Sequence, residues 1–417
     1  MFSYRHAFHA GNHADVLKHF ITIQLLQYLN QKDTAYTYID THSGAGVYAL
    51  DGTFASKNAE YDTGIGPLWE RDDMPPQLKE YVDLIRAMNP SGKMRYYPGS
   101  PYIAEQVARE QDRLRLFELH PADAKLLADN FRKLEEHAAE QGIRPTVRGK
   151  RVIVARSDGF QSLKALLPPP SRRALVLIDP PYEDKQDYKK VKDALAEALT
   201  RFPSGTYAVW YPLLQRMESR QFADKLKQLQ CSEWLNVVLT TREPTPDGFG
   251  LHSSGMFILN PPYTLEPMLK QVMPYLVKAL GVDSGARFTL ESGTPTPVRG
   301  NGGTASPRNA AAAAGASRSA NRNGGANASN SGPRGAAGSA ARTGSANAGR
   351  ATGGNPPRGM AGNAGRGPAG SAPRAGTDER REGLAARARR PAPAAPRSGG
   401  ATEGRSAAPR RPVNRQK

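Results

Sequence analysis

Seven short runs rich in apolar and β-branched residues punctuate the first 260 positions: "AYTYIDTH" (35–42), "LRLFELH" (114–120), "RVIVARSDG" (151–159), "ALVLIDPP" (174–181), "GTYAVWYP" (205–212), "WLNVVLTT" (234–241) and "HSSGMFILN" (252–260). Their length and composition predict strands. Between them, apolar positions recur with helical spacing at about 13–31, 101–112, 121–141, 187–201 and 215–229. Strands alternating with helices imply an α/β fold, a mostly parallel sheet covered on both faces. The loop "REPTPDGFGL" leaves no room for a crossover helix, so the last two strands should pair antiparallel. The expectation is a seven-stranded Rossmann-like sheet: five parallel strands and a terminal hairpin.

One connection is too long for this scheme. Residues 48–97 stand between the first strand and the helix that should precede the second, with helical patterns near 61–71 and 76–88. They predict a small helical insertion at the ligand-binding edge of the sheet, placed to touch substrate. Beyond position 300 the pattern vanishes. Residues 301–417 contain no Phe, Tyr, Trp or Ile, and carry 20 basic against 4 acidic side chains, a net +16 out of +18 for the whole chain. Such a segment cannot bury enough apolar surface to offset its chain entropy. The expected organisation is a domain over 1–290 and a disordered Arg/Gly/Ala-rich tail over 291–417, serving either as a solubilising extension or in phosphate contact with RNA. The single cysteine, Cys231, rules out a disulfide framework within the chain. No signal-like or membrane-spanning apolar run is present, and the expected setting is the cytoplasm, with no membrane partner.

Candidate chemistry gathers at predicted strand ends. "ALVLIDPPYED" ends in Asp179-Pro180-Pro181-Tyr182, and "GMFILNPPYTL" ends in Asn260-Pro261-Pro262-Tyr263. Ligands of an open α/β sheet sit at the carboxyl ends of its parallel strands. That rule selects Asp179, and makes Asn260, on a reversed strand, a structural turn. A carboxylate and the Pro180 carbonyl can accept both protons of an exocyclic base amine, whose lone pair is otherwise delocalised into the ring. Tyr182 would offer a stacking face for the base. "YIDTHSGAG" places Gly44 and Gly46 in a turn after the first strand. Glu118 ends the second strand, suited to ribose hydroxyls. Asp158 and Gly159 end the third, suited to an adenine ring and its amine. Ser100 opens the helix before the second strand, as a cap or a ligand contact. This strand order is the Rossmann-like methyltransferase arrangement rather than the NAD-binding one, and no phosphate-binding or Gly-x-Gly-x-x-Gly loop is present.

Five of eight histidines fall in the first 42 residues. No cysteine or Glu-x-x-His pattern accompanies them, so no metal site is expected. Asn12 should cap a helix whose inner face carries Val16, Leu17, Phe20 and Leu26, with Lys18 and His19 near its start, by a substrate phosphate or cofactor carboxylate or on a solvated basic face. Taken together, "SYRHAFHAGNHADVLKH", "DTHSGAG", "RYYPGSP", "ELHP", "SDGF", "RRALVLIDPPYE" and "GTYAVWYP" resemble the bacterial 23S ribosomal RNA adenine-N6 methyltransferase J family over about residues 1–285. The resemblance implies a class I, S-adenosylmethionine-dependent enzyme that methylates one adenine of 23S rRNA, adenine 2030; a monomer is expected. It implies cofactor binding by His19, His42, Ser100, Glu118, Asp158 and Gly159, catalysis by Asp179, and an active site lined by Tyr4, His6 and Lys18. Arg172, Arg173, Lys185, Lys189, Lys190 and Lys192 flank the Asp179 loop and are candidate phosphate contacts. Rival readings are a DNA adenine or rRNA guanine-N2 methyltransferase, and a noncatalytic RNA-binding protein acting through its tail.

Overall fold

The computed structural model describes residues 5–52, 59–140, 151–245 and 250–296. The expected tail lies outside them, apart from its first six residues. In chain order the main elements are α1 (His13–Asn30), β1 (Thr37–Asp40), β2 (Val47–Ala49), α2 (Pro76–Met88), β3 (Tyr96–Pro98), α3 (Ser100–Val107), β4 (Arg113–Phe117), α4 (Pro121–Glu140), β5 (Val152–Ala155), α5 (Gly159–Leu166), β6 (Ala174–Ile178), α6 (Gln186–Arg201), β7 (Thr206–Pro212), β8 (Trp234–Thr240), β9 (Ser253–Leu259), α7 (Leu265–Leu280) and β10 (Arg287–Gly293).

The main sheet has eight strands in the order β10-β8-β9-β7-β6-β1-β4-β5. The five strands β5, β4, β1, β6 and β7 are parallel. β9 runs antiparallel between β7 and β8, as the short loop required. The expected count of seven is corrected by β10, which pairs antiparallel with β8 from Arg287 opposite Thr240 to Gly293 opposite Trp234. The fold also carries on past the expected boundary at 290: Trp234 Nε1 donates to Thr294 O at 2.9 Å and Thr296 N donates to Lys227 O at 3.1 Å. β10 escaped the sequence reading because an edge strand buries little. Only Phe288 and Leu290 of "RFTLESG" turn towards the core.

Two apolar layers cover the sheet, and pleating sorts β6 between them. Leu175 and Leu177 join α1, α2, α3, α4 and α7 on one face. Val176 and Ile178 join α5 and α6 on the other. The helix α1 is not a surface helix. Asn12 Oδ1 caps it, accepting from the backbone N of Ala14 and Asp15 at 3.0 Å each. From His13 to Ile23 every residue is buried, between the sheet, α2, α3 and α7. Val16, Leu17, Phe20 and Leu26 are in the core as expected, but Asp15, Lys18, His19 and Thr22 are buried too, so the alternative of a solvated basic face does not hold.

The insertion closes on itself through the antiparallel pair β2–β3. The pattern at 61–71 becomes a 3-10 turn (Glu60–Thr63) and a single helical turn (Gly66–Trp69), while 76–88 is α2 as expected. Leu78, Tyr81, Val82 and Ile85 of α2 merge with the core around α1. Among the described residues, no helix is long and apolar enough to cross a membrane.

Candidate active site

The carboxyl ends of β1, β4, β5 and β6, together with α1, enclose a cavity of about 320 Å³, within the usual range for small-molecule sites. It is lined by His6, Lys18, His19, His42, Gly44, Ser100, Glu118, Asp158, Gly159, Asp179 and Pro180, and also by Thr41, Ser43, Tyr48, Phe160 and Asp187. Asp179 and the Gly44 turn therefore open onto the same rim. Asn260 lies at the far end of the reversed β9, where its side chain bonds Ser232 N, Pro203 O and Gly205 O at 2.9, 2.8 and 2.6 Å.

The rim is shaped by backbone demands at two glycines. Gly44 adopts φ +59°, and a Cβ there would come within 2.2 Å of the Tyr48 hydroxyl. A Cβ on Gly159 would lie 2.2 Å from Thr41 O, so only glycine lets α5 start this close to the end of β1. Glu118 receives Gly44 N at 2.8 Å and His120 N at 2.7 Å. Burial raises its pKa, opposed by these two bonds. Asp158 caps α5, with Oδ1 accepting from Phe160 N and Gln161 N at 2.8 and 3.2 Å. A carboxylate has acceptor capacity beyond two bonds on one oxygen, which leaves Oδ2 for a ligand donor. Asp40 is buried at the end of β1 and accepts from Ser100 Oγ at 2.7 Å and Tyr38 OH at 2.8 Å. Burial pushes its carboxyl up to about 6 against those bonds. The Ser100 hydroxyl is thus spent on Asp40, and Gly99 rather than Ser100 occupies the cap position of α3.

On the α1 side, Lys18 Nζ stands 2.6 Å from Asp179 Oδ2 and 2.8 Å from Asp15 Oδ1. Burial would lower the pKa of this amine; the two carboxylates outweigh it, and Lys18 stays charged. Asp15 is likewise held well below the usual carboxylate range: burial works against this, and the charges of His6 and Lys18 prevail. Burial keeps His19 and His42 neutral, down to about 3 and about 4. His19 Nδ1 meets Tyr97 OH at 2.9 Å, while its buried Nε2 stands 3.8 Å from Asp15 Oδ1 and has no hydrogen-bond partner among the described residues.

Two sequence-predicted residues fall elsewhere. The expected stacking face of Tyr182 is corrected. Its ring is 1 % exposed, packed against Tyr188, Trp210 and Phe222, and its hydroxyl donates to Trp210 O at 2.8 Å. Gly46 has φ +79° but faces Leu127 and Pro101, away from the cavity. Tyr4 lies outside the described residues. Three of the six candidate phosphate contacts have partners within the chain. Arg173 donates to the carbonyls of Leu29, Lys32 and Thr34, and Lys189 and Lys190 pair with Asp193 and Asp187. Asp15 was not anticipated. An acid three residues after an N-cap signals only a helix start, and nothing local foretells its burial.

This chain has close relatives. The sequence profile of a family described as "Ribosomal RNA large subunit methyltransferase D, RlmJ" matches residues 33–290. The ribosomal RNA large subunit methyltransferase J of Haemophilus influenzae is 44% identical over 296 residues, 71% of this chain and 100% of that protein. The protein of the same name from Escherichia coli K12 is 44% identical over 276 residues, covering 66% and 93%. A crystal structure of a Legionella pneumophila protein matches with a TM-score of 0.60 and 37% identity, over 68% of this chain and 98% of that one. The chain belongs to the RlmJ family of large-subunit ribosomal RNA methyltransferases.

Proposed function

We propose that the protein methylates the exocyclic N6 of one adenine in 23S rRNA, adenine 2030 by family resemblance, using S-adenosylmethionine. One observation carries this reading: Asp179 and Pro180 line the same cavity as Gly44, Glu118 and Asp158. The donor set fits the cofactor. Glu118 and the open oxygen of Asp158 suit the ribose hydroxyls and the adenine amine, and the orphaned His19 Nε2 suits a polar group of the methionine part. When bound, the cofactor supplies an electrophilic methyl group on a sulfonium.

The protein's own residues prepare the nucleophile. Asp179 and the Pro180 carbonyl accept the two amine protons, which favours a pyramidal nitrogen and stabilises the charge it gains. Proximity within the cavity supplies much of the rate. Tyr182 does not stack on the base; by anchoring its hydroxyl to Trp210 O it fixes the loop that carries Asp179. The test is transfer of labelled methyl to unmodified 23S rRNA fragments and to duplex DNA, with mass-spectrometric mapping of the product. N6-methyladenine in rRNA is expected. Label confined to DNA or to guanine overturns the reading. So does activity that survives Asp179→Ala but not removal of residues 301–417, since a binding protein would then act through its tail.

A further inference from the structure

The lysine facing Asp179 poses a problem that Asp179 alone cannot solve. Lys18 is 4 % exposed, and its ammonium sits 2.6 Å from Asp179 Oδ2, on the carboxylate that an incoming adenine amine would share. If Asp179 were its sole partner, an amine drawing on that carboxylate would weaken the only pairing of a buried cation, which is strongly unfavourable.

We infer that Asp15 is a positioning residue, a second carboxylate berth that keeps the Lys18 ammonium in place when substrate takes its share of Asp179. The inference rests on the methyl-transfer reading above. Its geometry is that of an anchored carboxylate. Asp15 is 1 % exposed. Its Oδ2 accepts from Gly11 N at 2.9 Å and faces His6 Nε2 at 2.9 Å. Its Oδ1 faces Lys18 Nζ at 2.8 Å. Oδ2 is therefore held from the segment that precedes α1, whether or not Asp179 is occupied, and this leaves Oδ1 turned to Lys18. Asp15 is not needed to start the helix, because Asn12 does the capping. An acid serving only the helix dipole would gain its few tenths of a kcal/mol just as well from the surface. Here it is buried instead, and it ties His6 and Lys18, two residues of the cavity wall, to one point. With substrate bound, the ammonium moves its weight to Asp15 Oδ1, keeps its place in the cavity wall, and no charge is left unpaired.

Asp15→Asn tests this in the full-length protein, because it keeps the shape and an acceptor for Gly11 N while removing the charge. Single-turnover transfer of labelled methyl to a 23S rRNA fragment, followed long enough to read slow variants, should fall by ~100-fold, the loss typical of a misplaced reacting group, while the dissociation constants for S-adenosylmethionine and RNA change less than about threefold. In a Lys18→Met background the same substitution should cost less than about threefold, since there is no ammonium left to hold. Unchanged transfer in Asp15→Asn overturns the inference. So does a loss that is equally large with Met at 18, or one accompanied by a matching loss of cofactor binding, because Asp15 would then serve the fold alone. If the unaltered protein labels no RNA, the methyl-transfer reading itself fails and this inference with it.

Discussion

The two Pro-Pro-Tyr loops share a tetrapeptide ending and almost nothing else. Each follows an apolar strand, and each holds one non-glycine residue in the left-handed region: Tyr182 at φ 51° in the first, Asn260 at φ 54° in the second. In the first, the acid faces the cavity and the tyrosine is buried. In the second, the amide is spent on three backbone partners and Tyr263 is 80 % exposed. Strand direction separates them. β6 delivers its carboxyl end to the rim where four parallel strands converge, and the reversed β9 delivers its own to the opposite edge. A motif of this kind acquires meaning from the strand that presents it.

The largest effect should separate the acids from the amides. Asp179→Ala is expected to lower the methyl-transfer rate by roughly 10³-fold or more, the scale of a lost proton acceptor, with unfolding little changed. Asn260→Ala should leave the rate of the folded enzyme intact, and labelled-methyl assays on both variants make the contrast. The tyrosines should show the reverse asymmetry in stability. Tyr182→Ala empties a site among three aromatic rings and should cost about 3–5 kcal/mol, whereas Tyr263→Ala should fall within about 0.5 kcal/mol of the parent; urea denaturation reads both. Asn260→Ala removes one side chain that serves three backbone groups, for an intermediate cost of about 1–3 kcal/mol in the same assay.

The smallest effect concerns pH. Burial holds His42, on the rim beside the first loop, near a pKa of about 4 against an ordinary 6.5. The unfolded chain therefore takes up this proton first, and stability from His42 is lost as pH falls from 6.5 towards 4. Asp40 acts in the opposite sense: its raised pKa of about 6 costs stability as pH rises from about 4 to 6. Urea midpoints measured across this window should decline less steeply on acidification in His42→Asn than in the parent. An identical slope would mean that the imidazole takes up its proton in the fold at the same pH as in the unfolded chain. The Asn260 side chain bonds backbone groups that do not titrate, so substitutions there should leave the slope alone.

The features legible in the sequence are those set by short-range rules. Strand-end acids and glycines located Gly44, Glu118, Asp158 and Asp179, because the ends of parallel strands must meet at one rim. Strand and helix centres followed from periodicity. What stayed hidden depends on partners far along the chain. Tyr182 is buried by Tyr188, Trp210 and Phe222, none of which its own tetrapeptide announces. Arg173 looked like a phosphate contact until its guanidinium met backbone carbonyls near the end of α1. β10 has two inward apolar residues, too few to stand out from a polar stretch. Asp15 and Lys18 pattern as helix-start and surface residues, and only the packing of α1 beneath α2 and α7 puts them inside.

That packing also bears on when the enzyme comes alive. The helix α1, near the start of the sequence, rests against β9 and α7, which are made after residue 250. Lys18 and Asp179 can both have emerged while the floor beneath them is still being synthesised. A newborn chain thus has its candidate catalytic groups in hand and no site to put them in until β9 and α7 have followed.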